Sequence, residues 1–457
     1  MKETNRRDFF RKAVMGGIGI GFLIDSQNVA ADVEYTTQKV SRSSAPSSLK
    51  ITDLRIANTE DGPILKIYTN QDINGIGEVR DIADPRYALM LKSRILGLNP
   101  CNVEQIFKVI KQFGGHGRQG GGVSGVEMAL WDLAGKAYGV PVYQLLGGKY
   151  RDKIRLYADT PSSPDPAVYA QRMKRRMEQG FTFLKMDFGI GLIKNITGAL
   201  VGEKFWQGQS EWDQSRPGNL SNTKHPFTSI QITDLGLEKL TEYVHQVREI
   251  VGYEVPLAAD HFGHFDTNTA IRLGHAVEKY QLAWLEDMVP WFYTEKWKEI
   301  TQAINTPTLT GEDIFGKEEF KKLVDTHAVD MIQPDLATAG GILETKKIGD
   351  YAEENGVAMA LHMAGTPVSM MANVHCAAAT QNFIALEHHD VDSEYWEDYV
   401  IHEQHINDKG FVNVPDKPGL GIELNEEVVK KHLKKDEKLF GPTEEWNNRN
   451  SWDRTWS

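Results

Sequence analysis

Pro256-Leu-Ala-Ala-Asp260, Leu282-Ala-Trp-Leu-Glu286 and Thr308-Leu-Thr-Gly-Glu312 are three short apolar runs, each closed by an acid. They lie within Val255 to Asp313, and the acids recur at a constant interval of 26 residues, at 260, 286 and 312. Between them, Thr267 to Tyr280 and Tyr293 to Ala303 carry helical spacing. Strand, helix, strand at a fixed interval is the βαβ rhythm of a parallel sheet. One acid after a strand means little, because loops are polar. Three on consecutive predicted strands put a row of carboxylates at the C-terminal edge of the sheet, where barrel enzymes keep their chemistry. Like charges in a row call for a cation among them. Oxygen donors with no Cys and no obligatory His suit a hard divalent ion, and Mg²⁺ is the expected one.

The same rhythm extends both ways. Upstream, Ile154 to Asp159 reads as a strand, Pro166 to Gln179 as its helix, and Phe181 to Asp187 as the next strand, with Lys185 near its end. The stretch from 188 to 236 breaks the pattern with aromatic, polar and glycine-rich sequence, and is expected to be a functional lid. An amphipathic helix resumes at Leu237 and runs to Val251. Downstream come Val329 to Asp335, a helix from Ile342 to Asn355, Ala358 to His362, a helix from Pro367 to Ala379, and Phe383 to Glu387. About eight strands result, the number that closes a TIM-type barrel. The barrel is assigned to residues 151–390.

Residues 49–150 read differently. Alternating patterns at Leu49 to Ile56 and Ile64 to Tyr68, then Asn74-Gly75-Ile76-Gly77-Glu78, predict an antiparallel meander, followed by helices over Pro85 to Leu96 and Val103 to Phe113. After the glycine-dense loop Gly114 to Gly122, Ser124 and Glu127 have capping-box spacing at the start of a helix. That loop lacks the preceding strand and terminal Gly-Lys-Ser/Thr of a phosphate-binding loop. Ahead of this domain, Asn5-Arg6-Arg7-Asp8-Phe9-Phe10-Arg11-Lys12, an apolar run to Ile24, and Val29-Ala30-Ala31 resemble a twin-arginine export signal over residues 1–31. The expectation is a periplasmic protein cleaved near Ala31. Residues 32–48 read as a linker, and residues 391–457 as a segment packing over the barrel and the smaller domain.

The chain has 457 residues and a formal net charge of −12, which argues against nucleic acid and anionic membrane surfaces as partners. Its apolar run is too short for stable membrane insertion. Cys101 and Cys376 are the two cysteines, too few for a disulfide framework or a zinc cluster.

Three later strands end in Asp335, His362 and Glu387. A carboxylate beside an imidazole fixes its tautomer and raises its basicity, which suits general acid–base work. Lys185, at a barrel rim, offers a cation for a substrate carboxylate. At this point a resemblance emerges. Gly75 to Glu78, Ser124 to Lys136, Leu145-Leu-Gly-Gly148, the three acids, Gln333 to Gly341 and Pro415 to Gly421 together resemble the enolase superfamily. Within it, the likeness is to the mandelate racemase/muconate lactonizing enzyme branch and its acid-sugar dehydratases. The resemblance implies an α+β capping domain over a modified (β/α)7β barrel. It also implies Mg²⁺ on Asp260, Glu286 and Glu312, an Asp335–His362 dyad, and Glu387 as a hydrogen-bond donor to an enediolate oxygen.

Two departures matter. Racemases of this branch carry two lysines near the second strand, and here the second position is Asp187, which disfavours a two-base racemase. Some of the dehydratases carry a histidine two residues after the third-strand acid, where this chain has Phe262; His261 and His264 are the nearby candidates for a second acid or base. His116 and Arg118 of the glycine-dense loop, with Asp187, are candidates for substrate contact by position. The expected activity is Mg²⁺-dependent dehydration of an aldonate-type acid sugar to a 2-keto-3-deoxy acid, by a homo-oligomer. The alternatives are a cycloisomerase or epimerase using the same enediolate, and a noncatalytic periplasmic binding protein.

Overall fold

The computed structural model describes residues 45–201, 231–260, 266–402 and 404–448. The export-signal segment, most of the linker, His261, His264, and the part of the expected lid from 202 to 230 lie outside them.

Three strands, β1 (Ile51–Asn58), β2 (Pro63–Thr69) and β3 (Asn74–Glu78), form an antiparallel sheet in that order. The helix Gly121–Tyr138 packs directly on β3. A Cβ at Gly75 would fall 2.1 Å from the Ala129 carbonyl oxygen, and one at Gly77 would fall 2.1 Å from that of Gly125. Strand and helix therefore touch backbone to backbone, and only glycine permits it.

Two expectations for this region need correction. The Ser124–Glu127 pair is not a capping box, because the helix has already begun at Gly121. Ser124 Oγ instead donates to the Gly120 carbonyl and accepts the Gly340 N–H, at 3.0 and 3.1 Å. Glu127 caps a different helix, Ile342–Glu354, accepting the N–H groups of Ile342 and Leu343 at 2.6 and 3.0 Å. Gly341 makes room for it, since a Cβ there would sit 2.0 Å from Glu127 Oε2. The second correction concerns Pro85 to Leu96, which forms two short helices, Arg86–Leu89 and Lys92–Ile95. Leu91 and Arg94 bond the carbonyls three residues back, the tighter 3₁₀ pattern. Lys92 turns inward, where its Nζ donates to Thr443 Oγ1 at 2.8 Å.

The barrel strands are β4 (Lys153–Ala158) and β5 (Leu184–Asp187), then, after an antiparallel pair β6 (Leu200–Val201) and β7 (Gln231–Ile232), β8 (Leu257–Asp260), β9 (Leu285–Glu286), β10 (Thr308–Thr310), β11 (Met331–Ile332), β12 (Ala358–Leu361) and β13 (Phe383–His388). They run parallel in the order β13-β12-β11-β10-β9-β8-β5-β4, and β13 pairs back onto β4 to close the cylinder. Helices on the outside connect successive strands, and the last strand closes onto the first without one, giving (β/α)7β. The C-terminal segment adds β14 (Val400–Ile401), β15 (Phe411–Asn413), antiparallel to β4, and β16 (Glu423–Leu424). It then reaches the first sheet, where Thr443 Oγ1 donates to the Leu54 carbonyl at 2.6 Å. No helix among the described residues is long and apolar enough to cross a membrane.

The barrel interior fixes the site. Tyr157, Phe183, Ala258, Trp284, Leu309, Met331, Ala360 and Ala385 pack together inside as one apolar layer. Side chains two residues apart on a strand share a face. The next layer toward the C-terminal ends is therefore Asp159, Lys185, Asp260, Glu286, Gly311, Gln333, His362 and Glu387. An apolar floor carries a polar mouth.

Candidate active site

Lys185 stands at the centre of the mouth. Its side chain is 3% exposed, and its Nζ lies 2.7 Å from Asp260 Oδ2, 2.5 Å from Glu387 Oε1 and 3.8 Å from Glu286 Oε1. Burial works against the ammonium charge, but Asp260, Glu286 and Glu387 outweigh it and hold the pKa well above the usual lysine value. Glu387 shows the converse. Burial opposes its charge, yet Lys185 and His389 hold it well below the usual carboxylate range. Tyr157, from the layer beneath, donates to Glu387 Oε2 at 2.8 Å and accepts from Gln333 Nε2 at 2.6 Å, which fixes the carboxylate in place.

Glu286 is fully buried. Trp284 Nε1 donates to its Oε2 at 2.9 Å, while its Oε1 has no hydrogen-bond partner. Burial and the charge of Asp260 push it well above the usual carboxylate range. A buried carboxylate oxygen without a partner costs about 1–3 kcal/mol or more. Relief can come only from a proton or a cation.

Glu312 departs from the regular step. The position two beyond Leu309 is Gly311, with φ of 147°, and the acid is the residue after it. Its carboxylate accordingly finds other partners: His362 Nε2 at 3.1 Å and an Arg80 guanidinium nitrogen at 3.6 Å.

The dyad is assembled. Asp335 caps the short helix Leu336–Ala339, its Oδ1 accepting the N–H groups of Ala337 and Thr338, and its Oδ2 lies 2.6 Å from His362 Nδ1. That leaves Nε2 as the ring nitrogen facing the mouth. Burial lowers the pKa of His362, and Glu312, Glu387 and Asp335 more than reverse this, raising it.

Sequence reasoning missed several participants. Arg80, just past β3, is fully buried, and its guanidinium lies 3.4 Å from Asp335 Oδ2 and donates to the Glu312 carbonyl at 2.8 Å. No local pattern announces it, because its place depends on how the first sheet docks on the barrel. Tyr157, Asp159 and His389 were within reach of the two-residue strand period. His389 Nε2 lies 3.1 Å from Glu387 Oε1, and its Nδ1 lies 3.6 Å from Asp159 Oδ2.

The positional candidates vary. Asp187 ends β5 opposite Asp260, and its N–H donates to Tyr169 Oη at 2.8 Å. His116 is exposed, packs its ring on Trp291 at 4.4 Å and accepts the Phe315 N–H. Arg118 is tied to Asp81 and Asp313, at 3.0 and 3.6 Å.

Two donor sets could hold a metal. His362, Glu387 and His389 offer ligand atoms all within 4.8 Å of one another among the described residues. Two imidazoles and one oxygen suit a softer transition metal. Asp260, Glu286 and Glu312 do not gather their oxygens that closely, but they offer only oxygen, which a hard cation prefers, and the unpartnered Glu286 Oε1 fits such an ion.

Comparison with known proteins identifies the family. Residues 33–147 match the mandelate racemase/muconate lactonizing enzyme N-terminal domain, and residues 168–428 match the enolase C-terminal domain-like family. A Haloferax volcanii protein named D-xylonate dehydratase is 32% identical over 386 residues, covering 82% of this chain and 86% of that protein. A D-galactonate dehydratase family member of Pantoea ananatis is 31% identical, over 84% of this chain and 94% of the relative. A D-mannonate dehydratase of Caulobacter vibrioides is 28% identical, over 84% and 95%. Among solved structures, a mandelate racemase/muconate lactonizing enzyme-like protein from Rubrobacter xylanophilus superposes with a TM-score of 0.74 at 31% identity. That match covers 87% of this chain and all of the other.

Proposed function

Since the chain belongs to the mandelate racemase/muconate lactonizing enzyme branch of the enolase superfamily, we propose that it is a Mg²⁺-dependent hydro-lyase of aldonate-type acid sugars. The observation that carries this reading is the Asp335–His362 pair at 2.6 Å, facing Lys185 across a mouth of carboxylates. A proton α to a carboxylate is very weakly acidic, and its removal puts a second negative charge on that carboxylate. Asp260, Glu286 and Glu312 would hold Mg²⁺, which when bound supplies positive charge next to the developing enediolate. Lys185 contributes a second cation there, held charged by Asp260, Glu286 and Glu387. His362, with its tautomer fixed by Asp335, takes the α-proton at Nε2. Collapse of the enediolate forms the C2=C3 bond as the β-hydroxyl leaves, and the enol becomes a 2-keto-3-deoxy acid.

Asp187 in place of a second lysine further favours elimination over two-base racemisation. The paired arginines, apolar run and Val29-Ala30-Ala31 support export by the twin-arginine route to the periplasm. In that case the mature native protein starts near Asp32, and N-terminal sequencing that finds Met1 rules the route out.

The activity is tested by semicarbazide detection of a keto acid from D-xylonate, D-galactonate, D-mannonate and their epimers with Mg²⁺. Keto acid formation supports dehydration. Exchange of the α-proton in D₂O without keto product points to epimerisation instead, and inertness toward the whole panel contradicts the reading.

A further inference from the structure

Elimination needs a proton for the departing oxygen as well as a base for the α-proton; His362 can serve both in turn only when the two groups lie on one face of the substrate, and a second acid removes that constraint. In some of the dehydratases this chain resembles, the second group is a histidine two residues after the third-strand acid, a position held here by Phe262. The described mouth offers another imidazole. His389 follows β13, two residues beyond Glu387, and so projects to the same inward face. Its ring centroid lies 5.4 Å from that of His362, with the planes at 65°. Its side chain is 31% exposed, whereas those of Lys185, Asp260, His362 and Glu387 are at most 5% exposed. His389 is thus the ring of the pair with an exposed edge, while its Nε2 is itself buried in the mouth beside Glu387.

Its hydrogen bonding is incomplete in an informative way. Nε2 lies 3.1 Å from Glu387 Oε1, yet it makes no hydrogen bond. Asp159 Oδ2 stands 3.6 Å from Nδ1, beyond a good hydrogen bond but close enough to favour a cation. Burial works against protonation, but Glu387 and Asp159 prevail and raise the ring to about 9. An imidazole N–H beside the base, held next to Glu387 but off full hydrogen-bond geometry, can turn to a departing oxygen as the second proton transfer requires.

We propose that His389 is the acid that protonates the departing β-hydroxyl, while His362 takes the α-proton from the adjacent carbon. The C3–O bond breaks with its electron pair going to oxygen. That oxygen takes the Nε2 proton of His389 and leaves as water, and the electrons of the enediolate form the C2=C3 bond. His389 ends neutral and His362 protonated, and exchange with solvent restores both. This rests on the dehydratase reading above.

The test uses His389→Asn and His389→Gln in the full chain with Mg²⁺, on whichever of D-xylonate, D-galactonate or D-mannonate the unmodified enzyme dehydrates. Three rates are measured: keto acid formation, α-proton exchange in D₂O, and fluoride release from the corresponding 3-deoxy-3-fluoro acid. Fluoride leaves without a proton, so its release bypasses the acid. The expected result is a kcat for keto acid lowered about 10³-fold, with exchange and fluoride release close to wild type. Retained dehydration overturns the proposal. So does a loss confined to KM, which marks a binding role, and so does parallel loss of all three rates in folded protein, which marks support of Glu387 or His362. If no aldonate is turned over by the unmodified enzyme, the dehydratase reading itself fails, and this one fails with it.

Discussion

Two sets of buried charges lie along one rim of the barrel, and they are built on opposite principles. Where the first domain meets the barrel helices, the buried acids Glu127 and Glu78 are satisfied. Glu127 accepts from Ile342, Leu343 and Trp131, and Glu78 accepts from the N–H groups of Thr366 and Ser369, at 2.9 and 3.0 Å. Each carboxylate finishes a helix N-terminus and locks the two domains together. A few residues away, the mouth leaves Glu286 Oε1, Asp159 Oδ1 and His389 Nε2 buried without hydrogen-bond partners, around a lysine that faces three acids. Satisfied charge holds the structure. Unsatisfied charge is kept for a ligand.

That contrast breaks down if substitutions at the mouth act like substitutions at the helix caps. The largest effect is expected at the dyad. His362→Asn lowers keto acid formation about 10³- to 10⁴-fold while Mg²⁺ binding, followed by calorimetry, is unchanged; normal turnover removes His362 from the mechanism. Next, Lys185→Met removes the cation between Asp260 and Glu387 and lowers metal-free stability by about 3–5 kcal/mol. Added Mg²⁺ recovers more Tm in this variant than in wild type, and an equal gain in both would mean the ion does not sense these acids.

A third effect concerns pH. His375 is buried in the Pro367–Ala379 helix, with its Nδ1 accepting the Tyr143 N–H, and burial lowers it to about 4. Between pH 6.5 and 4 the unfolded chain therefore binds the extra proton, so stability is full above 6.5 and falls with pH through this window. The fall attributable to this ring is at most about 3 kcal/mol. Urea unfolding across that range should show a shallower slope in His375→Gln. The smallest effect is at the cap. Glu127→Ala costs about 1–3 kcal/mol in denaturant unfolding and leaves kcat per folded molecule unchanged; a large kcat loss would blur the two regions into one.

The barrel was legible in the sequence because its repeat is periodic. Each βα unit must span one strand and one helix, and the 26-residue interval of Asp260, Glu286 and Glu312 reports that length directly. Asp335, His362, Glu387 and Lys185 were legible for the same reason, as strand ends. What escaped was non-local. Arg80 reaches Glu312 and Asp335 across more than 200 positions of chain, and no pattern near it encodes that contact. Glu127 was read against its own helix, although two of its three partners, Ile342 and Leu343, are more than 200 residues downstream. The offset of Glu312 depends on Gly311 with φ of 147°, a backbone detail that a run of residue types does not reveal. His389 could have been found by applying the two-residue period one step beyond Glu387.

The proposed function depends on the oxygen-only trio at the mouth being the cation site. It is tested most directly by a crystal structure of the protein loaded with Mn²⁺ as an anomalous stand-in for Mg²⁺. The expected result is one anomalous peak bounded by carboxylate oxygens of Asp260, Glu286 and Glu312, with Lys185 shifted away from Asp260. A peak among His362, Glu387 and His389, or none at the mouth, contradicts it.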